Sequence, residues 1–318
     1  MNAKPINIPN LTPLRGIAAL MVAVYHFDSV VANFLNKHHS MLIEKCYLMV
    51  DLFFIMSGFI ILHVYGTTFT ESIAKKDYLK FIGARFARVY PLHFFTLLLS
   101  IAVFYGLHKP ENPVNPVNNP MAIPTHLLLL HSFGIHKTFT WNVPSWSISA
   151  EWWAYMLFPF LALFLAKYNK KAIIILSGIS IALYFSIPYL LPRVNPIIPA
   201  LPVPHDLNVT YDYGYIRGLA GFIAGMITYT LFQRKETAKY LDNDFVSTLL
   251  ILLTISLFHF GVNDLVIVFV LMLLVLAIAL NKKRVSSLLK FRPLQYLGDI
   301  SYSIYLTHGT AMFLLRFR

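Results

Sequence analysis

One cysteine, Cys46, occurs in 318 residues, which excludes an intrachain disulfide and any cysteine-based metal cluster. Charge is scarce as well. Asp, Glu, Lys and Arg make up 13% of the chain, whereas a soluble domain carries about a quarter. The apolar runs do not alternate over segments of about ten residues, so they are not the strands of a membrane barrel. No small-residue cleavage site follows the first apolar run, which therefore reads as a retained span and not a signal peptide. No internal repeat of the kind that marks many secondary transporters is visible. Neither long loop resembles a soluble domain, so residues 1–318 are expected to form a single integral-membrane domain with no appended soluble domain.

What the chain does have is apolar sequence. It is 57% hydrophobic, with a mean hydropathy of +0.63, and runs near 20 residues recur as helical spans require. Expected spans lie near 13–34, 46–66, 85–107, 146–166, 172–190, 215–232, 246–260, 264–280 and 294–315. The fold class is all-α: a polytopic transmembrane bundle of about 9–10 spans. The net charge of +12 suggests nucleic acid until its placement is read. Most of the 26 Lys and Arg fall in alternate loops, as in Lys75, Lys76 and Lys80, or Lys282, Lys283 and Arg284. That bias is the positive-inside pattern. It places the N-terminus in the cytoplasm of an inner or plasma membrane protein, and no nucleic-acid partner is implied. Two long loops fall on the other side. The first holds PENPVNPVNNP, where proline blocks a helix. A short apolar piece follows it, Thr125–Phe133, expected as a re-entrant or interfacial helix or half of a broken tenth span.

Several spans carry residues that lipid does not tolerate cheaply. Leu14–Phe27 contains Arg15 and His26, eleven residues apart, which is about 16 Å along one helix face. Ionisable residues inside a span are functional candidates by default. The second span places Asp51 near its outer end and Ser57-Gly58 at its middle. Ser57 is open to bonding its own helix, and Gly58 to a kink or a close helix contact. Arg85 and Arg88 stand at i and i+3 before Pro91. They read either as topology anchors or as a planar, bidentate phosphate grip. Residues 141–159, WNVPSWSISAEWWAYMLFP, put Ser147 and Glu151 on one face among Trp146, Trp152 and Trp153. Gly218, Gly221 and Gly225 form a small-residue stripe suited to close helix packing. In the last span Ser301, Tyr305 and His308 make a polar face.

Taken in series, these segments resemble acyltransferase family 3, polytopic membrane enzymes that acylate O-antigens, exopolysaccharides, nodulation factors and peptidoglycan. Arg15 to His26 is similar to the family's first-span motif, and Phe53-Phe54-x-x-Ser57-Gly58-Phe59 to its second-span signature. Arg85-x-x-Arg88-x-x-Pro91 is similar to its paired-arginine motif, and Trp146-Ser147-x-Ser149-x-Glu151-Trp152 to its Trp–Ser–Glu motif. Tyr211–Gly225 and Gly298–His308 match later blocks. Two departures are the short stretch after His308 and the lack of the esterase-like domain that some members append. The resemblance implies transfer of an acyl group, usually acetyl from acetyl-CoA or another acyl-CoA, to a hydroxyl of an exported glycan or glycolipid, without a metal. It implies His26 as general base with Glu151 orienting or charge-balancing it, and Arg15, Arg85 and Arg88 toward the donor's phosphates. Ser57, Trp146, Ser147, Tyr305 and His308 are candidates for contacting substrate or an oxyanion. The acceptor sugar, acyl length and oligomeric state are not legible. The competing reading is a transporter or flippase, in which intramembrane Arg, His and Glu relay protons.

Overall fold

A computed structural model of the chain describes residues 8–28, 39–107, 118–192 and 205–316. Among them there is no strand, and the elements are helices. They are α1 (Leu11–Phe27), α2 (Met49–Tyr65), α3 (Lys75–Leu107), α4 (Ile123–Leu127), α5 (Trp146–Tyr189) and α6 (Gly214–Phe232). Then follow α7 (Lys235–Leu241), α8 (Asp244–His259), α9 (Asp264–Leu280), α10 (Arg284–Leu289), α11 (Arg292–Asp299) and α12 (Ser301–Arg316).

Each expected span meets a helix, but the count by length differs. Among the described residues four helical stretches are long and apolar enough to cross a membrane, or five if α7 and α8, bent by 75°, are counted as one span. The difference has physical causes. Two expected spans run together in the 44-residue α5, broken only at Asn169, whose φ of 39° and ψ of −111° are not helical. The 17-residue α1 and α9 reach only about 26 Å each at 1.5 Å per residue. The expected span over 294–315 is split at Ile300 into α11 and α12. The outer part of the first expected span and most of the proline-rich loop lie outside the described residues. Helix α3 continues through Pro91.

The segment expected as a re-entrant or interfacial helix, or as half of a broken tenth span, holds the end of helix α4 and a turn. Helix α4 is five residues long, and Leu129 follows it with a φ of +55°. The chain then turns back onto the start of α5. There the Leu129 carbonyl accepts from Ser149 Oγ at 2.6 Å and Trp153 Nε1 at 2.8 Å.

The core sits where α2, α5 and α6 pack together. Helices α2 and α6 touch backbone to backbone. A Cβ at Gly58 would lie 1.9 Å from the Phe222 carbonyl oxygen, and one at Gly225 would lie 1.9 Å from that of Ile55. This is the close approach that small residues permit in lipid, and it resolves Gly58 as a packing contact. Next to it lies a buried ion pair. Arg217 Nη2 reaches Asp51 Oδ2 at 2.5 Å, with side-chain exposures of 1% and 0%. Tyr184 donates to Asp51 Oδ1 at 3.1 Å, and Arg217 Nη2 also donates to the Tyr47 carbonyl at 3.0 Å. The rings of Tyr47 and Trp146 lie 5.4 Å from the guanidinium carbon. Desolvating both charges is costly, and these extra hydrogen bonds offset it. Helix α1 leans on α11 and α12. Its seat is Gly16 against Gly298, where an added Cβ on Gly298 would come within 2.0 Å of the Thr12 carbonyl oxygen.

Candidate active site

Five helices surround a cavity of about 470 Å³. Helix α1 contributes Arg15, α2 contributes Phe53, Ser57 and His63, and α3 contributes Arg85 and Arg88. From α5 come Ser147, Glu151 and Tyr155, and from α12 Ser301, Tyr302 and Tyr305. The wall between these polar groups is largely aliphatic and aromatic side chains of α2.

The arginines are the unusual part. Among the described residues the ion pairs are Lys45–Asp264 and Arg217–Asp51, so no described carboxylate pairs with Arg15, Arg85 or Arg88. Arg85 Nη2 donates to Tyr65 OH at 3.1 Å, and its guanidinium lies 5.1 Å from the Tyr65 ring and 6.0 Å from that of Tyr155. Arg88 lies 6.0 Å from the Tyr302 ring. The Nε atoms of Arg15 and Arg85 are buried without a hydrogen-bond partner. Buried donors are normally satisfied. Three guanidiniums turned on one cavity, two with idle donors, are an arrangement able to hold an anion with several oxygens, although Glu151 lines the same cavity.

Glu151 lines this cavity with the arginines and is not beside His26, which the sequence analysis has it orient or charge-balance. Its Oε1 accepts from Ser57 Oγ at 2.6 Å and Tyr155 OH at 2.5 Å. No hydrogen bond joins Glu151 to His26. The reason is axial. Glu151 faces the middle of α2, whereas His26 sits at the far end of α1 and meets α12. There His308 Nε2 lies 3.2 Å from His26 Nδ1, with ring centroids 5.0 Å apart. Each Nδ1 also faces the carbonyl four residues back: Val22 at 3.0 Å for His26 and Ile304 at 3.3 Å for His308. His26 and His308 do not line the cavity. Between cavity and histidines stand Phe53 and Tyr305, edge to face at 5.6 Å, with Tyr305 5.7 Å from the His308 ring.

The remaining candidates divide. Ser57 lines the cavity, with its hydroxyl donated to Glu151. Ser147 and Tyr305 line it, but both hydroxyls donate to the Pro144 carbonyl, each at 3.2 Å, so neither points a ready donor at an oxyanion. Trp146 lies outside the cavity, packed on Arg217 and Phe54. There it covers the buried Arg217 cation. Sequence reasoning missed Tyr155, although its position four residues after Glu151 put it on the same helix face. It also missed Arg217 as the partner of Asp51, for which no local spacing exists. A stack of His93, His126 and His131 was missed too. The last two rings are 3.9 Å apart, and burial pushes His131 down to about 3, so it is neutral and bonds Ser145.

Residues 8–318 match the model of acyltransferase family 3, described as an acyltransferase domain. The chain belongs to this family. Over 168 residues it is 31% identical to acyltransferase MdmB of Streptomyces mycarofaciens, which covers 50% of this chain and 40% of that protein. Over 151 residues it is 32% identical to protein 2 in the picA locus of Rhizobium radiobacter, covering 45% of this chain and 72% of that one. The match thus spans two fifths of MdmB's length. No solved structure matches. Membership in a membrane acyltransferase family agrees with the multi-pass helical bundle.

Proposed function

We propose that this protein transfers an acyl group, most simply acetyl, from cytoplasmic acyl-CoA to a hydroxyl of an exported glycan or glycolipid. The observation that carries the reading is the set of three guanidiniums around one cavity with no described carboxylate paired to them. Coenzyme A ends in phosphates, for which Arg15, Arg85 and Arg88 are shaped. Its pantetheine arm is slender and suits the apolar wall beside α2. The donor enters from the side where the loop cations gather, which is the cytoplasm under the positive-inside rule. The acceptor waits at the His26 end.

A hydroxyl is a poor nucleophile near neutral pH, and imidazole is the natural base for it. His26 takes the hydroxyl proton as the oxygen attacks the thioester carbonyl. The tetrahedral intermediate collapses, the C–S bond breaks, and the leaving thiolate takes the proton from His26. Ester and free CoA thiol result, with atoms and charge in balance. Glu151, gripped by Ser57 and Tyr155, balances the charge of the arginines in the cavity.

The test uses the purified full chain in detergent for transfer and in sealed proteoliposomes for leaflet movement, with acetyl-CoA and a glycolipid extract as acceptor. Acceptor-dependent release of CoA thiol together with labelled acceptor is expected. His26→Ala should lose about 100- to 10,000-fold in rate while remaining folded. A wild-type protein that moves labelled glycolipid between leaflets without releasing CoA is a flippase, and the reading fails.

A further inference from the structure

The His26–His308 contact assigns a role to a residue that the proposed mechanism leaves idle. Both Nδ1 atoms face main-chain carbonyls, at 3.0 Å from Val22 for His26 and 3.3 Å from Ile304 for His308. A carbonyl only accepts, so each of these bonds requires the proton on Nδ1. His308 in that tautomer carries its lone pair on Nε2, the atom that lies 3.2 Å from His26 Nδ1. The His26 Nδ1 proton is thus shared between Val22 and His308, and the basic lone pair of His26 is on Nε2. His308 is buried at 5% exposure. It is held by its own helix and by the Tyr305 ring at 5.7 Å. A ring so confined does not turn to accommodate another tautomer of its neighbour.

Resting on the reading that His26 is the base, we propose that His308 is the positioning residue of His26, holding it in the Nδ1–H tautomer and accepting from it while it carries the substrate proton. The arrangement has the logic of a nucleophile–base–orienter triad, in which the third member fixes the tautomer of the base. Here the third member is a neutral imidazole from the last helix, not the carboxylate expected from sequence. A neutral acceptor suits a position among apolar helices, where an unpaired carboxylate would carry a large desolvation cost. It also joins the first and last described helices at the reacting end, so the base is in place only when α12 is docked on α1.

The experiment compares His308→Ala and His308→Gln with wild type in the full-length protein, measuring CoA release and acceptor labelling. Glutamine reaches with an amide oxygen to about where imidazole Nε2 sits, so it keeps an acceptor for His26. His308→Ala should lower kcat by at least tenfold with little change in KM for acetyl-CoA. His308→Gln should recover most of that loss, and adding His308→Ala to His26→Ala should cost nothing more. A merely structural role predicts that KM, folding and kcat fall together and that Gln does not help. Wild-type kcat in folded His308→Ala, or a loss that Gln leaves untouched in folded protein, overturns the assignment. If His26→Ala itself transfers at the wild-type rate, the underlying base assignment falls with it. If His26→Ala is inactive and His308→Ala is not, the positioning role alone is refuted.

Discussion

Replacing Arg85 and Arg88 together with Gln isolates the donor-binding claim. Arg85 is half-buried, its Nη2 is held by Tyr65 at 3.1 Å, and its Nε has no partner. Arg88 is exposed beside Tyr302. A hydrogen bond to a charged group contributes about 1.5–3 kcal/mol, and solvent screening discounts the exposed arginine. Counting one such bond in full gives a loss of about 10- to 100-fold in donor affinity. The glycan requirement should stay unchanged, because the histidine end of the bundle is untouched. Lysine at both positions should restore only part of the affinity, since it returns the charge without the planar fork. Raising the salt should weaken wild-type donor binding more than it weakens binding by the Gln pair, because screened attraction is what the pair has lost. The assay is calorimetric or competitive binding of acetyl-CoA to detergent-purified protein whose topology has been checked by cysteine accessibility. Unchanged affinity in correctly inserted Gln protein refutes the phosphate grip. If the Gln pair instead inserts poorly or flips, the arginines are topology anchors.

Three further outcomes follow from named contacts. Glu151→Gln should reduce transfer more than any single substitution in residues 108–120, read from initial rates at saturating donor, because Glu151 is the acid in the arginine cavity. Asp51→Ala should destabilise the fold by about 3–5 kcal/mol by leaving Arg217 buried and unpaired, and Asp51→Leu with Arg217→Met should recover much of that, measured by thermal unfolding in detergent. Gly58→Ala should lower the melting temperature sharply, because its Cβ would sit 1.9 Å from the Phe222 carbonyl oxygen. Gly83→Ala, which meets nothing within 4 Å, is the control and should be neutral or better.

The sequence alone determined that this is an all-helical membrane bundle, because apolar run length is a local property. It also singled out Arg15, Arg85, Arg88, Ser57 and Glu151, since ionisable or hydroxyl side chains are conspicuous against lipid-facing residues. Gly225 was legible as a packing position from its small-residue spacing. Tertiary structure decided who meets whom. Asp51 and Arg217 are 166 residues apart and His26 and His308 are 282 apart, and no periodicity within one helix joins such pairs. The same cause moved Glu151 from His26 to Ser57. Helical spacing specifies the face on which a side chain lies, but its depth depends on where α1, α2 and α5 slide against one another. That depth is set by backbone contacts such as Gly58 on Phe222 and Gly298 on Thr12.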